Sequence, residues 1–321
     1  MVRGTSAVAL IVVLLTSVSC GYTSEDIHLP KDKPTADQLA ELWIEPKGAR
    51  DLFWGVGGTR HAPPRDATYT EEKKDETGFS VSYDVTSPDG TEWSAKIGPE
   101  AQTEVVMSRI LWGLGYHQPP VYYLPSWKVK LKNGEEKLES EARFRPKLKD
   151  LHRHNFWLWE DNKFLGTRQL NGLLVILLML NSSDLKNDNN TIYKLDEPRE
   201  GARHWFVVRD LGAALGQTGK LFPRRNWLIG FEQGGFIKSV KGDQIEFDYR
   251  GRHQELLKTI TPADVRWASR RMRRLTDEQW RDAFRAANYT EEMTDRYLRK
   301  IREKIAQGLS LQAEASENEE S

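Results

Sequence analysis

The chain has 321 residues, of which 47 are basic and 47 acidic, so its formal net charge is zero. That balance excludes a global electrostatic attraction to nucleic acid or to an anionic membrane surface. Eleven Trp and eleven Phe supply enough apolar surface for a large core, which excludes an intrinsically disordered chain. The length allows either one large domain or two lobes that share a cleft.

Residues 1–19 are predicted to be a signal peptide. Arg3 precedes an apolar run from Ala7 to Leu15, which is too short to span a bilayer. The sole cysteine, Cys20, follows Ser17-Val-Ser19, and this arrangement resembles the lipobox of bacterial lipoproteins. The resemblance implies export to the bacterial cell envelope and a lipid anchor on Cys20. Ordinary cleavage near Ser19, which would leave a soluble secreted protein, is the alternative.

Residues 20–50 are predicted to be an anchor and spacer, and residues 51–148 a β-rich lobe. The spacer is polar and holds one short helix from Thr35 to Trp43. In the lobe, turn signals separate five predicted strands: Thr68–Lys74, Phe79–Val85, Thr91–Ile97, Val121–Leu131 and Leu138–Leu148. Between the third and fourth strands, a helix with one apolar face is predicted from Glu100 to about Leu114.

Residues 149–307 are predicted to form a second, helical lobe. Leu170–Leu180 is almost wholly apolar but too short to cross a membrane, so it is predicted to be a buried helix. Two short strands are predicted at Thr191–Leu195 and His204–Val208. The sequence is helical in pattern from residue 262 to 307, and residues 308–321 are predicted to be a disordered acidic tail.

Polar residues with a distinctive spacing follow the predicted buried helix. Asp184, Lys186 and Asn189 stand in one loop, and Asp210-Leu-Gly212 ends the second of the two short strands. This order is typical of a phosphoryl-transfer site with a base, a phosphate contact and two metal ligands. An Asn- and Asp-rich surface turn is the ordinary alternative. A calcium loop is excluded, because Lys186 stands where a ligand belongs and the usual Gly and closing Glu are missing.

Lys96 is the candidate phosphate-binding lysine. Strand alternation places Lys96 and Ser94 on one face of the third strand. An exposed strand lysine is the ordinary alternative. Glu104 shares the apolar face of the next helix, where a carboxylate needs a cationic partner. We therefore expect a Lys96–Glu104 ion pair, with Glu100, one turn earlier, as the alternative partner.

On these residues the chain resembles the protein-kinase-like superfamily, in the style of atypical secreted, HipA-like and CotH-like kinases. The resemblance covers roughly residues 66–300. It implies an α+β, two-lobed fold with a small antiparallel β lobe that carries one helix, and a larger helical lobe. Ser182-Ser183 replaces the His-Arg that usually precedes the catalytic Asp, and no Ala-Pro-Glu follows Asp210. An ordinary regulated protein kinase is therefore not implied.

The resemblance also implies cofactors and roles, namely ATP with Mg²⁺ or Mn²⁺. Asp184 and Lys186 would be catalytic, and Asn189 and Asp210 would bind metal, with Asn190 as a possible substitute for Asn189. Lys96 and Glu104 would bind and orient the nucleotide. Gly78, in Thr77-Gly-Phe-Ser80, would belong to the loop that covers the nucleotide, and Gly55-Val-Gly57-Gly58 is the alternative position.

The sequence thus predicts an exported, ATP- and divalent-metal-dependent phosphotransferase of unknown acceptor. The alternative is a catalytically silent pseudokinase that binds a nucleotide or a partner at the cell envelope. A structural envelope lipoprotein with a coincidental motif is the third class. The predicted partners are a nucleotide, a phosphate acceptor and, through Cys20, a membrane; nucleic acid is not among them.

Overall fold

The structure, a computed structural model, describes residues 27, 29–77, 80–218 and 224–311. The predicted signal peptide, Cys20, Gly78 and the tail from residue 312 lie outside the described residues. Within the described ranges, no helix is long and apolar enough to cross a membrane. The fold is mixed: a seven-stranded sheet in the first half precedes a mainly helical second half, which is compatible with a two-lobed kinase-like architecture.

The first sheet begins after a short helix, α1 (Ala36–Ala40), whose N-terminus is capped by the Thr35 side chain. Seven strands form this sheet: β1 (Thr68–Asp75), β2 (Ser82–Thr86), β3 (Glu92–Ile97), β4 (Tyr122–Leu124), β5 (Trp127–Lys130), β6 (Glu136–Glu139) and β7 (Ala142–Pro146). Their spatial order is β4-β7-β3-β2-β1-β5-β6. Neighbours are antiparallel except β1 and β5, which are parallel, so the predicted antiparallel lobe contains one parallel pair.

Two of the predicted strands are each divided in the structure. Val121–Leu131 breaks at Pro125, because proline cannot donate a ladder hydrogen bond, and the chain changes neighbours there. Before the break β4 pairs with β7, and after it β5 pairs with β1 and β6. Leu138–Leu148 likewise contains the end of β6 and all of β7. The predicted hairpin turn at Lys132-Asn-Gly134 joins β5 to β6 and is confirmed.

The two faces of the sheet differ in chemistry. Trp93 and Ala95 of β3 are buried in an aromatic core with Phe144 of β7. The alternate residues of β3, Ser94 and Lys96, point to the other face, as the strand period predicts. The sheet therefore presents a polar face containing Lys96 to the rest of the molecule.

Helix α2 (Glu100–Gly113) separates this polar face from the helical half. It was predicted to have one apolar face, but the structure buries nearly every residue of it, including the charged Glu100 and Glu104. Its apolar side chains, such as Met107 and Ile110, belong to the core of the helical half. Because a buried carboxylate is costly without a charged or hydrogen-bonding partner, the partners of Glu100 and Glu104 must lie close to α2.

The second half contains three further strands near its start and a pair later on. The strands are β8 (Leu151–Asn155), β9 (Asn190–Arg199), β10 (Ala202–Val208), β11 (Ile237–Lys241) and β12 (Gln244–Phe247). The helices are α3 (Arg168–Met179), α4 (Leu228–Gln233), α5 (Gln254–Leu257), α6 (Pro262–Arg273), α7 (Asp277–Arg285) and α8 (Glu291–Leu309). The predicted buried helix is α3, which begins two residues before Leu170 because Thr167 caps it. Strand β8 is polar and mostly exposed, so the sequence shows no apolar alternation that would have predicted it.

His117 joins the end of α2 to this framework and makes stability dependent on pH. Its imidazole is buried, stacks on Trp205 at 4.9 Å between ring centroids, and its Nε2 lies 2.7 Å from the carbonyl oxygen of Ala40. Burial lowers the pKa of His117 to about 4, against an ordinary value of 6.5. Between these values the unfolded chain holds a proton that the folded chain lacks, so stability rises with pH through this window.

We therefore expect the free energy of unfolding to fall as pH drops from 6.5 towards 4, with up to about 3 kcal/mol of the loss due to His117. His117→Gln should remove that part of the loss. The measurement is urea denaturation of both proteins at a series of pH values. The exposed His152 provides the control: His152→Gln should retain the wild-type acid loss. An identical pH slope for wild type and His117→Gln would contradict the assignment.

Candidate functional site

Lys96 lies at the centre of a group of charged side chains between β3, α2 and the end of β10. Its Nζ is 2.5 Å from Oδ1 of Asp210 and 2.9 Å from Oε2 of Glu100. Lys96 and Asp210 are 114 residues apart in sequence. The structure therefore brings together two of the residues that the sequence assigned to one site.

Of the two partners predicted for Lys96, the alternative, Glu100, forms the ion pair, and the preferred one, Glu104, does not. The Glu104 side chain is turned to β7, where its Oε1 lies 2.6 Å from Nη2 of Arg145 and 3.0 Å from Nε of Arg143. Both glutamates lie on one face of α2, one turn apart, and only the first is within ion-pair distance of Lys96. Burial alone would raise the pKa of Glu104, but the charges of Arg143 and Arg145 outweigh it and lower the pKa to about 2.

Glu100 takes the position expected of Glu104. Besides Lys96, its carboxylate pairs with Arg225 and accepts a hydrogen bond from the Ser80 hydroxyl at 3.1 Å. Ser80, two residues before β2, therefore lies beside Glu100. Among the described residues, Glu100 is therefore the helix carboxylate placed to orient Lys96.

The Asp210-Leu-Gly212 segment approaches the first turn of α2 closely. A Cβ atom added at Gly212 would lie 2.5 Å from the Cβ of Glu100, a separation that real side chains do not reach. Asp210 itself has φ +54, in the left-handed region that Asp and Asn tolerate best among residues with a side chain. Its side chain is 43% exposed. The glycine thus permits the approach, and the unusual backbone turns a partly exposed carboxylate towards Lys96.

The loop with Asp184 is tied to both sides of Asp210 by backbone hydrogen bonds. The N–H of Ser183 donates to the carbonyl of Ala213 at 2.8 Å, and the N–H of Arg209 donates to the carbonyl of Asn189 at 2.9 Å. Asp184 and Asp210 therefore lie within the same hydrogen-bonded ring. The structure brings the predicted catalytic loop and the predicted metal-binding acid together.

Contacts within the loop fix its shape. Asn189 donates through Nδ2 to the backbone carbonyl of Asp184 at 3.0 Å, which leaves its amide oxygen as the atom suited to a cation. Lys186 Nζ lies 3.0 Å from Asp184 Oδ2. Asn190 is buried and donates to the carbonyl of Trp157 at 3.2 Å. Its buried Oδ1 has no hydrogen-bond partner in the described part of the chain, so Asn190 stays the alternative to Asn189 as a metal ligand.

His253 supports the loop that contains Asp184, and this role was not predicted from the sequence. Its Nε2 contacts the carbonyl oxygen of Leu185, and its Nδ1 contacts Oε1 of Glu160. The ring is almost fully buried, with 6% of its side chain exposed. A lone His that follows Gly251-Arg252 carries no motif, so only the tertiary structure reveals that it connects the loop to Glu160.

The glycine positions expected to cover a nucleotide have different outcomes. Gly78 lies outside the described residues. The alternative, Gly55-Val-Gly57-Gly58, contacts other residues: Gly55 approaches the Arg109 guanidinium closely, and Tyr122 donates its hydroxyl hydrogen to the Gly58 carbonyl at 2.8 Å. These contacts use that segment to pack the buried Arg109 against Tyr122.

The residues present can hold a hard divalent cation only if a bound ligand supplies further oxygen donors. Among the described residues, no group of three or more His, Cys, Asp or Glu is arranged to hold a metal alone. Asp210 and Asn189 offer one carboxylate and one amide oxygen, both hard donors. Magnesium is commonly held by one or two carboxylates together with substrate phosphates. The donor set thus fits Mg²⁺ or Mn²⁺ brought with a polyphosphate.

Comparison with known proteins gives limited similarity. No protein-family model matches the chain, and no curated protein does. Among solved structures, the chain is similar to the crystal structure of a Helicobacter pylori proinflammatory kinase, CtkA. That alignment has a TM-score of 0.37 and 10% sequence identity, and covers 77% of this chain and 98% of the other. The function must therefore be argued from the residues of this chain.

Proposed function

We propose that the chain is an atypical kinase, an ATP- and divalent-metal-dependent phosphotransferase. The observation that carries the proposal is the contact between Lys96 and Asp210, beside a loop bonded to both flanks of Asp210. A lysine on a strand, a carboxylate at a strand end and an Asp–Asn loop are the parts that phosphoryl transfer requires. The phosphate acceptor remains open among proteins, lipids, sugars and small molecules.

Each residue has a task in this proposal. Asp184 would accept or orient the proton of the acceptor hydroxyl, and the adjacent Lys186 would neutralise charge on the transferred group. Asp210 and the amide oxygen of Asn189 would hold the metal, which supplies electrophilic stabilisation of the phosphate oxygens. Lys96 would bind phosphate, and its ion pair with Glu100 would hold its ammonium group in place.

The location of this activity is also a proposal. The apolar run near the N-terminus and the position of Cys20 favour export and a lipid anchor at the bacterial cell envelope. An exported phosphotransferase would act where ATP is supplied from elsewhere. Lipidation is checked by mass spectrometry of the mature N-terminus and its loss in Cys20→Ser.

A silent nucleotide-binding protein is the second candidate, and one observation favours it. Lys96 and Asp210 neutralise one another directly at 2.5 Å, so a metal must compete with Lys96 for the carboxylate. If the metal loses that competition, the cleft binds a nucleotide without turnover.

Thermal unfolding of the full-length chain with ATP, with and without Mg²⁺ or Mn²⁺, tests the proposal. ATP at 100 times its Kd should add about 2.7 kcal/mol of stability, and metal should be required. Asp210→Asn should abolish the metal-dependent part, since Asn keeps the shape and tolerates the left-handed backbone but loses the charge. Stabilisation that ignores metal would overturn the proposal. Metal-dependent stabilisation without release of ADP in any assay would favour the silent protein.

A further inference from the structure

The polar face of the sheet carries more positive charge than Lys96 alone. Strand β7 has the sequence Ala142-Arg-Phe-Arg-Pro146, and Ala142 and Phe144 lie in the aromatic core. Arg143 and Arg145 therefore point to the opposite face. In the pairing of β3 with β7, Arg143 lies opposite Lys96 and Arg145 lies opposite Ser94. Two guanidinium groups thus share the face that Lys96 occupies.

A single carboxylate serves both of these arginines. Arg143 and Arg145 contact the same oxygen of Glu104, and both side chains are buried. The Nε of Arg145 is buried and has no hydrogen-bond partner among the described residues. One carboxylate therefore faces two guanidinium groups, which leaves an excess positive charge and an unused donor on Arg145, beside a Glu104 Oε2 that is also buried without a hydrogen-bond partner among the described residues.

Arg209 adds a third guanidinium group from the other side of the cleft. It directly precedes Asp210, and within the described part of the chain it makes no ion pair, while its buried Nε has no hydrogen-bond partner. The charges of Arg143, Arg145 and Glu104 all act on Arg209. A partly buried guanidinium near other guanidinium groups costs free energy that a bound anion would offset.

Arg153 extends the positive charge to solvent. It is exposed on β8, and its charge, like that of Arg143, acts on Arg209. The four arginines therefore run from an exposed rim at Arg153, through the partly buried Arg209, to the buried Arg145 and Arg143. Guanidinium groups present paired N–H donors that match the geometry of phosphate.

We propose that Arg209 and Arg145 form a phosphate-binding subsite beside Lys96 and Asp210, with Arg153 at its entrance. The inference rests on the proposed function in that both place the ligand in the same cleft. The subsite takes a phosphate group additional to the one assigned to Lys96. That group belongs either to the nucleotide or to a phosphorylated acceptor.

Metal-free pyrophosphate is the probe, because its binding does not depend on the metal site. We expect isothermal titration of the full-length chain in EDTA to show binding that Arg209→Gln weakens by about tenfold, the typical worth of one charge-assisted contact. Arg203→Gln, which removes an exposed arginine from β10, is the matched control and should change affinity less than twofold. Equal weakening by both variants, or no binding by the wild type, would overturn the subsite.

Two further variants keep the test decisive. Arg209→Gln should raise the melting temperature without ligand, because it removes a crowded charge, whereas an arginine with a purely structural role would lower it. Asp210→Asn should strengthen metal-free pyrophosphate binding, since it frees Lys96 and removes a negative charge, while it abolishes the metal-dependent effect of ATP. Loss of both effects together in Asp210→Asn would show that pyrophosphate needs the Asp210 carboxylate and would overturn the subsite.

The two sources of the phosphate group give different results with ATP. If the subsite holds a nucleotide phosphate, Arg209→Gln weakens ATP as well as pyrophosphate. If it holds an acceptor phosphate, Arg209→Gln leaves ATP affinity unchanged, and pyrophosphate still binds to the ATP-saturated wild type but about tenfold more weakly to ATP-saturated Arg209→Gln. A wild type that binds pyrophosphate while ATP shows no metal-dependent effect would retain the subsite and refute the proposed kinase activity.

Discussion

Replacing Asp184 with Asn should lower the rate of the proposed phosphoryl transfer by about 10²- to 10⁴-fold while leaving ATP binding intact. The substitution keeps the size of the side chain but removes the group that would accept the proton of the acceptor hydroxyl. Its backbone carbonyl still accepts the hydrogen bond from Asn189, so the loop keeps its shape. The measurement pairs ADP release with the ATP-dependent shift in melting temperature.

Asp188 provides a matched control for this prediction. It lies in the same loop and is exposed, so Asp188→Asn makes the same chemical change outside the hydrogen-bonded contact of Asp184 with Lys186. We expect less than a threefold change in rate for that variant. A slow ADP release that Asp184→Asn leaves unaltered would contradict a catalytic role for Asp184 and would assign the residual activity to uncatalysed hydrolysis.

The parts of the site that follow from local pattern could be predicted from the sequence. Strand alternation placed Lys96 and Ser94 on the polar face, and the apolar run around Leu170–Leu180 located the buried helix before the loop. The loop residues Asp184 and Asn189 share one short segment, so their proximity needs no tertiary information. The order of elements assigned Asp210 and Lys96 to one site, but their direct contact was not predicted.

The choice of partners could not be predicted in the same way. Glu100 and Glu104 lie four residues apart on one helical face, so sequence spacing does not distinguish them. The outcome depends on where β7 runs, because its arginines reach Glu104 and leave Glu100 to Lys96. That strand was hidden inside a longer predicted one. Its alternation of Arg with Ala and Phe was the available signal for a charged face opposite an apolar one.

Backbone features at the site were also beyond sequence pattern. The left-handed conformation of Asp210 is uncommon for a residue with a side chain, and no sequence pattern marks it. Only Gly212 marks this close packing in the sequence, since the lack of a side chain allows the segment to lie against Glu100. The position of His253 beneath the loop depends on the fold of residues far along the chain, for which no short-range rule exists.

Removing the charge of Glu104 should give the largest loss of stability. Glu104→Gln leaves Arg143 and Arg145 buried without a carboxylate, and breaking a buried pair in this way typically costs about 3–5 kcal/mol. The low pKa of Glu104, about 2, means that the carboxylate is charged at all ordinary pH values, so the effect should persist from pH 5 to pH 8. Urea denaturation at several pH values measures it.

Glu92→Gln is the control for Glu104→Gln. Glu92 is the exposed first residue of β3, and its ion pair with Lys147 is long, at 3.8 Å. We expect that variant to stay within about 1 kcal/mol of the wild type. Pyrophosphate should restore part of the stability lost in Glu104→Gln, because an anion on Arg145 replaces the missing negative charge. If Glu104→Gln were instead fully stable but unable to bind ATP, Glu104 would orient Lys96 as the sequence had indicated. Arg143 and Arg145 would then need no carboxylate, and the proposed phosphate-binding subsite would lose its physical basis.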